Sequence, residues 1–286
     1  MKHIIVALAA LALLTCPASV LAENAGPAPD SLPENTVLSV DLDGDGAEEQ
    51  VSWAMVPGQY DTCLTLTVTP AGGDALTYPV DITGEADVRI LDLDGDGRQE
   101  ILLSGDVMSD DYVTWCLRYG DGALYEVLFP DCSRGQYTDG YFKYGYGRIT
   151  AVEGDRLTLS GSQDMLGTWF ACRTVRLTPH DRFEFDDDGL WRRDIVDPAD
   201  PELWGYAAIV TKVDLPYTGA DGQAATLPAG TKILITATDK AEAVWFTTQG
   251  GVTGIFSISP DYERGWGWMV DGIGEDEGFG PLPYAD

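Results

Sequence analysis

Short apolar runs recur along the chain, and no segment has the spacing of a long amphipathic helix. Runs at 37–40, 51–53, 63–68, 88–91, 101–103, 115–119 and 169–175 have the length and the β-branched or aromatic content of strands. Gly120-Asp121-Gly122 separates two such runs, which predicts a tight hairpin. The pattern therefore predicts an all-β fold.

Two nearly identical acidic segments lie between these runs, at residues 41–49 and 92–100, and they begin 51 residues apart. Each reads D-x-D-G-D-G-x-x-E and is flanked by strand-like runs. A period near 50 residues indicates an array of similar units. A third unit is inferred from the Cys-bearing run at 169–175, with a loop at 151–156 that has lost most of the carboxylates.

The spacing within each acidic segment predicts a calcium loop. Aspartates at positions 1, 3 and 5 point at one centre, position 7 can offer its backbone carbonyl, and position 9 adds a carboxylate. The glycines let the backbone turn without a Cβ clash. The alternative is a solvated acidic turn. The expected ligands of two structural Ca²⁺ ions are Asp41, Asp43, Asp45, Ala47 and Glu49, and Asp92, Asp94, Asp96, Arg98 and Glu100.

The loops start like an EF-hand, but position 12 is Ser52 or Leu103 where that family has an acidic residue. The pattern followed directly by an apolar strand resembles the FG-GAP/VCBS-type repeats that are also found in integrin α-subunit propellers. That resemblance implies propeller-blade-like units at 35–196, in which the loop joins the first two strands of a blade. A propeller needs at least four blades, so about three units predict an open array.

The C-terminal part shows a second pattern. A proline-punctuated stretch at 197–206 is the expected linker. Beyond it, Leu227-Pro228-Ala229-Gly230-Thr231-Lys232 leads into a strand, followed by Trp245-Phe246 and a Gly-Gly hairpin. This order resembles bacterial SH3-like (SH3b) domains and implies a small barrel at 207–286. In that family the domain often binds cell-wall peptide or polysaccharide, but its usual Asn-Val-Arg segment is missing here.

Composition restricts the partners and the compartment. The 286 residues carry 47 acidic against 17 basic residues, a formal charge of −30, which argues against nucleic acid. Residues 1–22 resemble a cleaved export signal, with lipidation of Cys16 as an alternative. No other segment is apolar and long enough to span a membrane. The four remaining cysteines permit two disulfides or free thiols: Cys63, Cys116, Cys132 and Cys172.

No pattern selects a catalytic group. His180 is expected in a turn, and the acidic runs at 186–189 and 275–277 are expected to be solvated turns. Trp266 and Trp268 could stack on a sugar or pack in a core. We therefore expect a secreted or cell-surface, non-enzymatic, calcium-stabilised binding or adhesion protein with a glycan, cell-wall or protein ligand. A secreted glycan- or cell-wall-acting hydrolase, or its accessory module, is the alternative.

Overall fold

The computed structural model describes residues 31–57, 62–107, 111–130, 141–186, 188–193, 199–265 and 267–284. The expected export signal, Cys16, Cys132 and Trp266 lie outside these ranges. The described chain is all-β, as predicted, with two four-residue helices as its only helical segments among the described residues. Its sheets are antiparallel, and among the described strands none closes on itself. Whether the units are propeller blades and the C-terminal region an SH3-like barrel stays a prediction.

The first unit is a four-stranded meander in the order β1-β2-β3-β4. Its strands are β1 (Leu38–Val40), β2 (Glu49–Pro57), β3 (Thr62–Thr69) and β4 (Leu76–Val80). The first acidic loop joins β1 to β2. Val40, the last residue of β1, pairs with Glu49, the first residue of β2. The loop therefore begins and ends at the same corner of the sheet.

The second unit repeats this arrangement. It consists of β5 (Ala86–Leu91), β6 (Glu100–Asp106), β7 (Tyr112–Gly120) and β8 (Ala123–Glu126), with the second acidic loop between β5 and β6. The predicted hairpin is confirmed: Asp121 and Gly122 form its turn, with φ of 48° and 73°. Three short strands follow, β9 (Phe129–Pro130), β10 (Tyr141–Phe142) and β11 (Tyr144–Tyr146).

The third unit has the same strand order but no acidic loop. Its strands are β12 (Arg148–Glu153), β13 (Arg156–Gln163), β14 (Trp169–Thr178) and β15 (Arg182–Phe185), followed by β16 (Trp191–Arg193). The prediction of a loop over residues 151–156 is wrong, because the loop is shorter. Residues 151–153 belong to β12, and Gly154 and Asp155 alone form the turn, because Glu153 already pairs with Arg156.

The units are stacked through their faces. Residues of β7 alternate between two cores: Val113, Trp115, Leu117 and Tyr119 pack against the first unit, whereas Cys116 packs against the third. The middle sheet is thus buried on both sides, which explains why β7 reads as a continuous apolar run rather than an alternating one.

The second residue of each acidic loop connects the loop to these cores. Leu42 is buried in the core between the first and second units. Leu93, at the same place in the second loop, is buried in the core between the second and third units. Each loop is therefore anchored by an apolar side chain in the interface with the next unit.

The C-terminal region continues from the third unit. It contains α1 (Leu203–Tyr206), β17 (Ile209–Val210), β18 (Leu215–Gly219), β19 (Ala224–Leu227), β20 (Lys232–Thr238), β21 (Ala243–Thr248), β22 (Thr253–Pro260), β23 (Trp268–Val270), β24 (Ile273–Gly274) and α2 (Glu275–Gly278). Strand β16 pairs with both β14 and β20, so one sheet crosses from the third unit into this region.

A shared core reinforces that connection. Trp169 and Trp191 from the third unit pack in the same cluster as Phe246, Phe256 and Trp268. Within the expected linker, α1 buries Leu203 and Trp204 against Leu234. The third unit and the C-terminal region are therefore joined by both hydrogen-bonded strands and apolar packing.

The cysteines do not form two disulfides. Cys63 and Cys116 are free thiols, and Cys116 is fully buried. Cys172 is also buried. For Cys63 and Cys116 the alternative of free thiols therefore applies, so the sheets are held by packing and strand pairing at these positions.

No helix among the described residues is long and apolar enough to cross a membrane.

Truncation of the buried loop leucines should destabilise the stack. We expect Leu42→Ala and Leu93→Ala each to lower the free energy of unfolding by about 2–5 kcal/mol, because each leaves a cavity between units. Urea unfolding followed by tryptophan fluorescence measures this. Val37→Ala, at an exposed position just before β1, is the control and should change stability by less than about 0.5 kcal/mol. Equal midpoints for all variants would contradict the anchoring role.

Candidate metal centres in the two acidic loops

The two acidic loops share one backbone conformation. In the first, Gly44 and Gly46 have φ of 77° and 89°; in the second, Gly95 and Gly97 have 76° and 89°. These values lie in the left-handed region that glycine adopts without a Cβ clash. The two loops therefore contain glycine at the same two positions because the backbone there is left-handed in both.

The hydrogen bonds within the loops also correspond atom for atom. The Asp41 carboxylate accepts the N–H groups of Gly44 (2.8 Å) and Gly46 (2.9 Å), and Glu49 accepts the Leu42 N–H at 2.9 Å. In the second loop the equivalent bonds are Gly95 to Asp92 (2.7 Å), Gly97 to Asp92 (3.0 Å) and Leu93 to Glu100 (2.7 Å). Position 1 thus orders the turn, and position 9 closes the loop.

Three carboxylates converge in each loop. One oxygen each from Asp41, Asp43 and Glu49 lies within 4.8 Å of the others, and the same holds for Asp92, Asp94 and Glu100. A Ca²⁺ ion with ligand distances of about 2.3–2.6 Å brings its ligand oxygens within roughly 5 Å of one another. The converging oxygens are hard donors at spacings that one calcium ion could bridge.

The fourth expected carboxylate of each loop is placed differently. Asp45 and Asp96 are not part of the converging sets. Their Oδ1 atoms instead accept the backbone N–H groups of Ala47 (2.7 Å) and Arg98 (2.8 Å). The structure therefore brings together three of the four predicted carboxylate ligands in each loop and uses position 5 to shape the turn towards position 7.

The two loops touch each other. The Gln99 N–H donates to the Leu42 carbonyl at 2.9 Å. A Cβ on Gly44 would lie 3.3 Å from the Gly97 carbonyl oxygen, so the backbones approach closely at that point. Burial, together with the charges of Glu49, Asp43 and Asp45, raises the pKa of Tyr119, which keeps this phenol neutral beside the first loop.

Arg118 is a residue of the candidate site that the loop pattern did not indicate. It lies on β7 opposite Glu100 of β6 and is buried. Its Nη2 is 2.8 Å from Asp94 Oδ2 and 2.5 Å from Glu100 Oε1, and its Nη1 contacts Asp181. A single charged residue in a mostly apolar strand is the sequence signal that could have revealed it, since a buried guanidinium needs carboxylate partners.

Burial and ion pairing act in opposite directions at this site. Burial raises the pKa of Glu100. The hydrogen bond from the Leu93 N–H and the charge of Arg118 lower it, but by less, so the pKa of Glu100 stays above its ordinary value. Burial alone would lower the pKa of Arg118, but Glu100, Asp94 and Asp181 outweigh it and raise the pKa. Arg118 therefore stays charged in the fold.

The corresponding corner of the third unit carries two arginines. Arg156, the first residue of β13, pairs across the sheet with Arg176 of β14. Asp186 pairs with Arg156, and its other oxygen is 3.5 Å from Arg176 Nε. No converging carboxylate set forms there among the described residues, which agrees with the loss of acidic residues from this turn.

Outside the loops, one predicted solvated residue is buried. Glu275, in α2, is almost fully inaccessible, so the expectation of a solvated turn at 275–277 is wrong at this residue and holds for Asp276 and Glu277, which are exposed. Trp268 lies in the apolar core, which favours the core interpretation of that tryptophan over sugar stacking. Asp186 and Asp188 form ion pairs with Arg156 and Arg192.

Comparison of the chain with protein-family models gives no match, and comparisons with curated proteins and with solved structures give none either.

The buried Glu275 should make stability depend on pH. Burial raises the pKa of Glu275 above its ordinary value of 4.5, so its contribution to stability is complete below that value and is lost as pH rises through the folded-state pKa. In thermal melts from pH 4 to 8, the Tm of Glu275→Gln relative to the wild type should rise as the pH increases.

The exposed Glu277→Gln is the matched control and should follow the wild type throughout. A Glu275→Gln curve that runs parallel to the wild type would contradict the assignment of a raised pKa.

Proposed function

We propose that the chain is an exported, non-enzymatic binding or adhesion protein of the bacterial surface or medium, whose β-repeat units are stabilised by calcium. The observation that carries the calcium part is the convergence of three carboxylates in two loops of identical geometry. Without a cation these carboxylates repel one another. A bound ion would remove that repulsion and hold both flanking strands, so ion binding would contribute to folding.

The position of the loops supports the FG-GAP/VCBS-type assignment. Each acidic loop joins the first two strands of a four-stranded antiparallel meander, which is where the resemblance puts it. The meanders pack face to face through shared cores. These features support a propeller-like array with calcium loops in its first two units, and three units would form an open array.

The strand order in the C-terminal region supports the SH3-like assignment. A β18–β19 hairpin precedes the meander β20-β21-β22, and β18 pairs back with β22. After α2, Phe279 forms a bridge with Thr211 near the start of the region, so the two ends meet. We assign this region the recognition role, with a cell-wall or extracellular glycan or protein as ligand.

Aromatic surface on the repeat units supports a binding role as well. Tyr144 is 42% exposed, and its ring lies 5.2 Å from Trp115 and 6.2 Å from Phe142. Trp115 is buried and supports the Tyr144 ring from below, whereas Tyr144 and the partly exposed Phe142 provide contact area for sugars or peptides at low entropic cost. The exposed Lys143 and the neighbouring Glu126, 2.8 Å apart, add polar groups beside the rings.

The calcium proposal is tested by thermal melting after chelation, with calcium or magnesium added back. At a calcium concentration 100 times Kd, binding should stabilise the fold by about 2.7 kcal/mol, which corresponds to a Tm increase of roughly 5–10 °C for a chain of this size. Magnesium should act weakly, because it keeps its waters and demands stricter geometry.

Asp43→Asn should reduce the calcium-induced rise by weakening a converging ligand, whereas Asp121→Asn, in the β7–β8 turn, should leave it unchanged. Identical melting of the wild type in chelator and in calcium would reject calcium stabilisation.

A further inference from the structure

The two acidic loops have the same internal geometry but different surroundings. The second loop carries the exposed Arg98, whose Nε lies 3.9 Å from Asp96, outside the converging carboxylates. The difference at the converging carboxylates themselves is the buried Arg118. This inference rests on the proposed calcium function and concerns how the two loops share it. In the second loop, Arg118 contributes a positive charge from within the fold. In the first loop, no basic side chain of the described chain forms an ion pair with Asp41, Asp43, Asp45 or Glu49.

The strand register explains why only one loop has this charge. Arg118 lies directly opposite Glu100, the last carboxylate of the second loop. In the first unit Gln50 pairs with Thr69, so the position opposite Glu49 falls on Pro70. A proline cannot supply a charge there. The first loop therefore has every carboxylate of the second but lacks its counter-ion.

Arg118 engages the same carboxylates that converge in the second loop. Its Nε donates to Glu100 Oε1 at 2.6 Å, and its Nη2 donates to Asp94 Oδ2 at 2.8 Å and lies 3.8 Å from Asp96 Oδ2. Two of the three converging groups, Asp94 and Glu100, are thus already paired with a cation. Asp92 is the third and orders the turn through its bonds to Gly95 and Gly97.

Asp181 holds the guanidinium from the other side. It lies in the turn between β14 and β15 of the third unit and contacts Arg118 Nη1. Burial and this four-carboxylate environment fix the arginine in place, since a buried guanidinium without partners is strongly unfavourable. The charge is therefore a permanent part of the second loop rather than a mobile surface group.

We propose that Arg118 is a built-in counter-ion that lets the second loop keep its fold without calcium, so that the first loop is the tighter and more calcium-dependent site. A Ca²⁺ ion entering the second loop would share Asp94 and Glu100 with a fixed like charge, which weakens binding. An ion entering the first loop meets only carboxylates, and its absence leaves their repulsion uncompensated.

The experiment is a calcium titration by isothermal calorimetry, combined with thermal melting in chelator, on the purified chain and a reciprocal pair of variants. Arg118→Met removes the internal charge from the second loop but keeps a long apolar side chain. Pro70→Arg introduces a charge at the corresponding position of the first loop. Asp43→Asn and Asp94→Asn report which loop gives each binding event.

The wild type should bind one calcium ion at least about tenfold more tightly than a second, because the like charge of Arg118 acts on one site only. Asp43→Asn should remove the tight event and Asp94→Asn the weak one. Arg118→Met should tighten the weak site and lower the Tm in chelator. Pro70→Arg should weaken the tight site, and this variant remains informative if Arg118→Met fails to fold.

The outcomes separate the two proposals. A wild-type chain that binds no calcium overturns the proposed calcium function and the ranking of the loops with it. A chain that binds two calcium ions with equal affinity overturns only the ranking. If Asp94→Asn loses the tight binding event and Asp43→Asn keeps it, the second loop is the tighter site, and the proposed role of Arg118 is rejected.

Discussion

Carboxylates that converge within 4.8 Å of one another repel unless a positive charge compensates them, and the three repeat units differ in this charge balance. The first unit has the acidic loop alone. The second has the same loop with Arg118 set against it. The third has replaced the loop by a two-residue turn, flanked by Arg156 and Arg176 around Asp186. The expected dependence on an external cation therefore decreases along the chain from the first unit to the third.

The loops matter to the whole stack because they are tied to its cores. Leu42 and Leu93 lie within the loops and are buried between successive sheets. Charge balance and apolar packing therefore act on the same few residues. If repulsion between the carboxylates disordered a loop, its leucine would also leave the core between the units. Tyr119 and Arg118 are neighbours on β7 and face the first and second loops respectively, so this strand connects both sites to the middle sheet.

The C-terminal region closes one end of this stack. Strand β16 joins the sheet of the third unit to β20, and Trp191 is buried in the core on that side. Among the described residues, no second β-region covers the outer face of the first unit, where Thr65, Thr67 and Thr69 of β3 remain partly accessible. The array is therefore capped at one end by a second β-region, while the other end presents a threonine-rich sheet surface among the described residues.

The sequence by itself determined the local structure. The repeated D-x-D-G-D-G-x-x-E spacing predicted two loops of the same conformation, because the Asp and Gly positions act within nine residues; the Asp121-Gly122 hairpin and the all-β character were predicted for the same local reason. The length of the loop in the third unit was overestimated, because the cysteine-bearing strand from which this unit was inferred does not reveal how short the turn between the two preceding strands is. The partnership of Arg118 with Asp181, 63 residues away, the burial of Glu275, and the sheet that crosses near 191 were decided only by the tertiary structure. These features depend on which strands become neighbours, and pairing between distant segments is not encoded in the spacing of residues along any one of them.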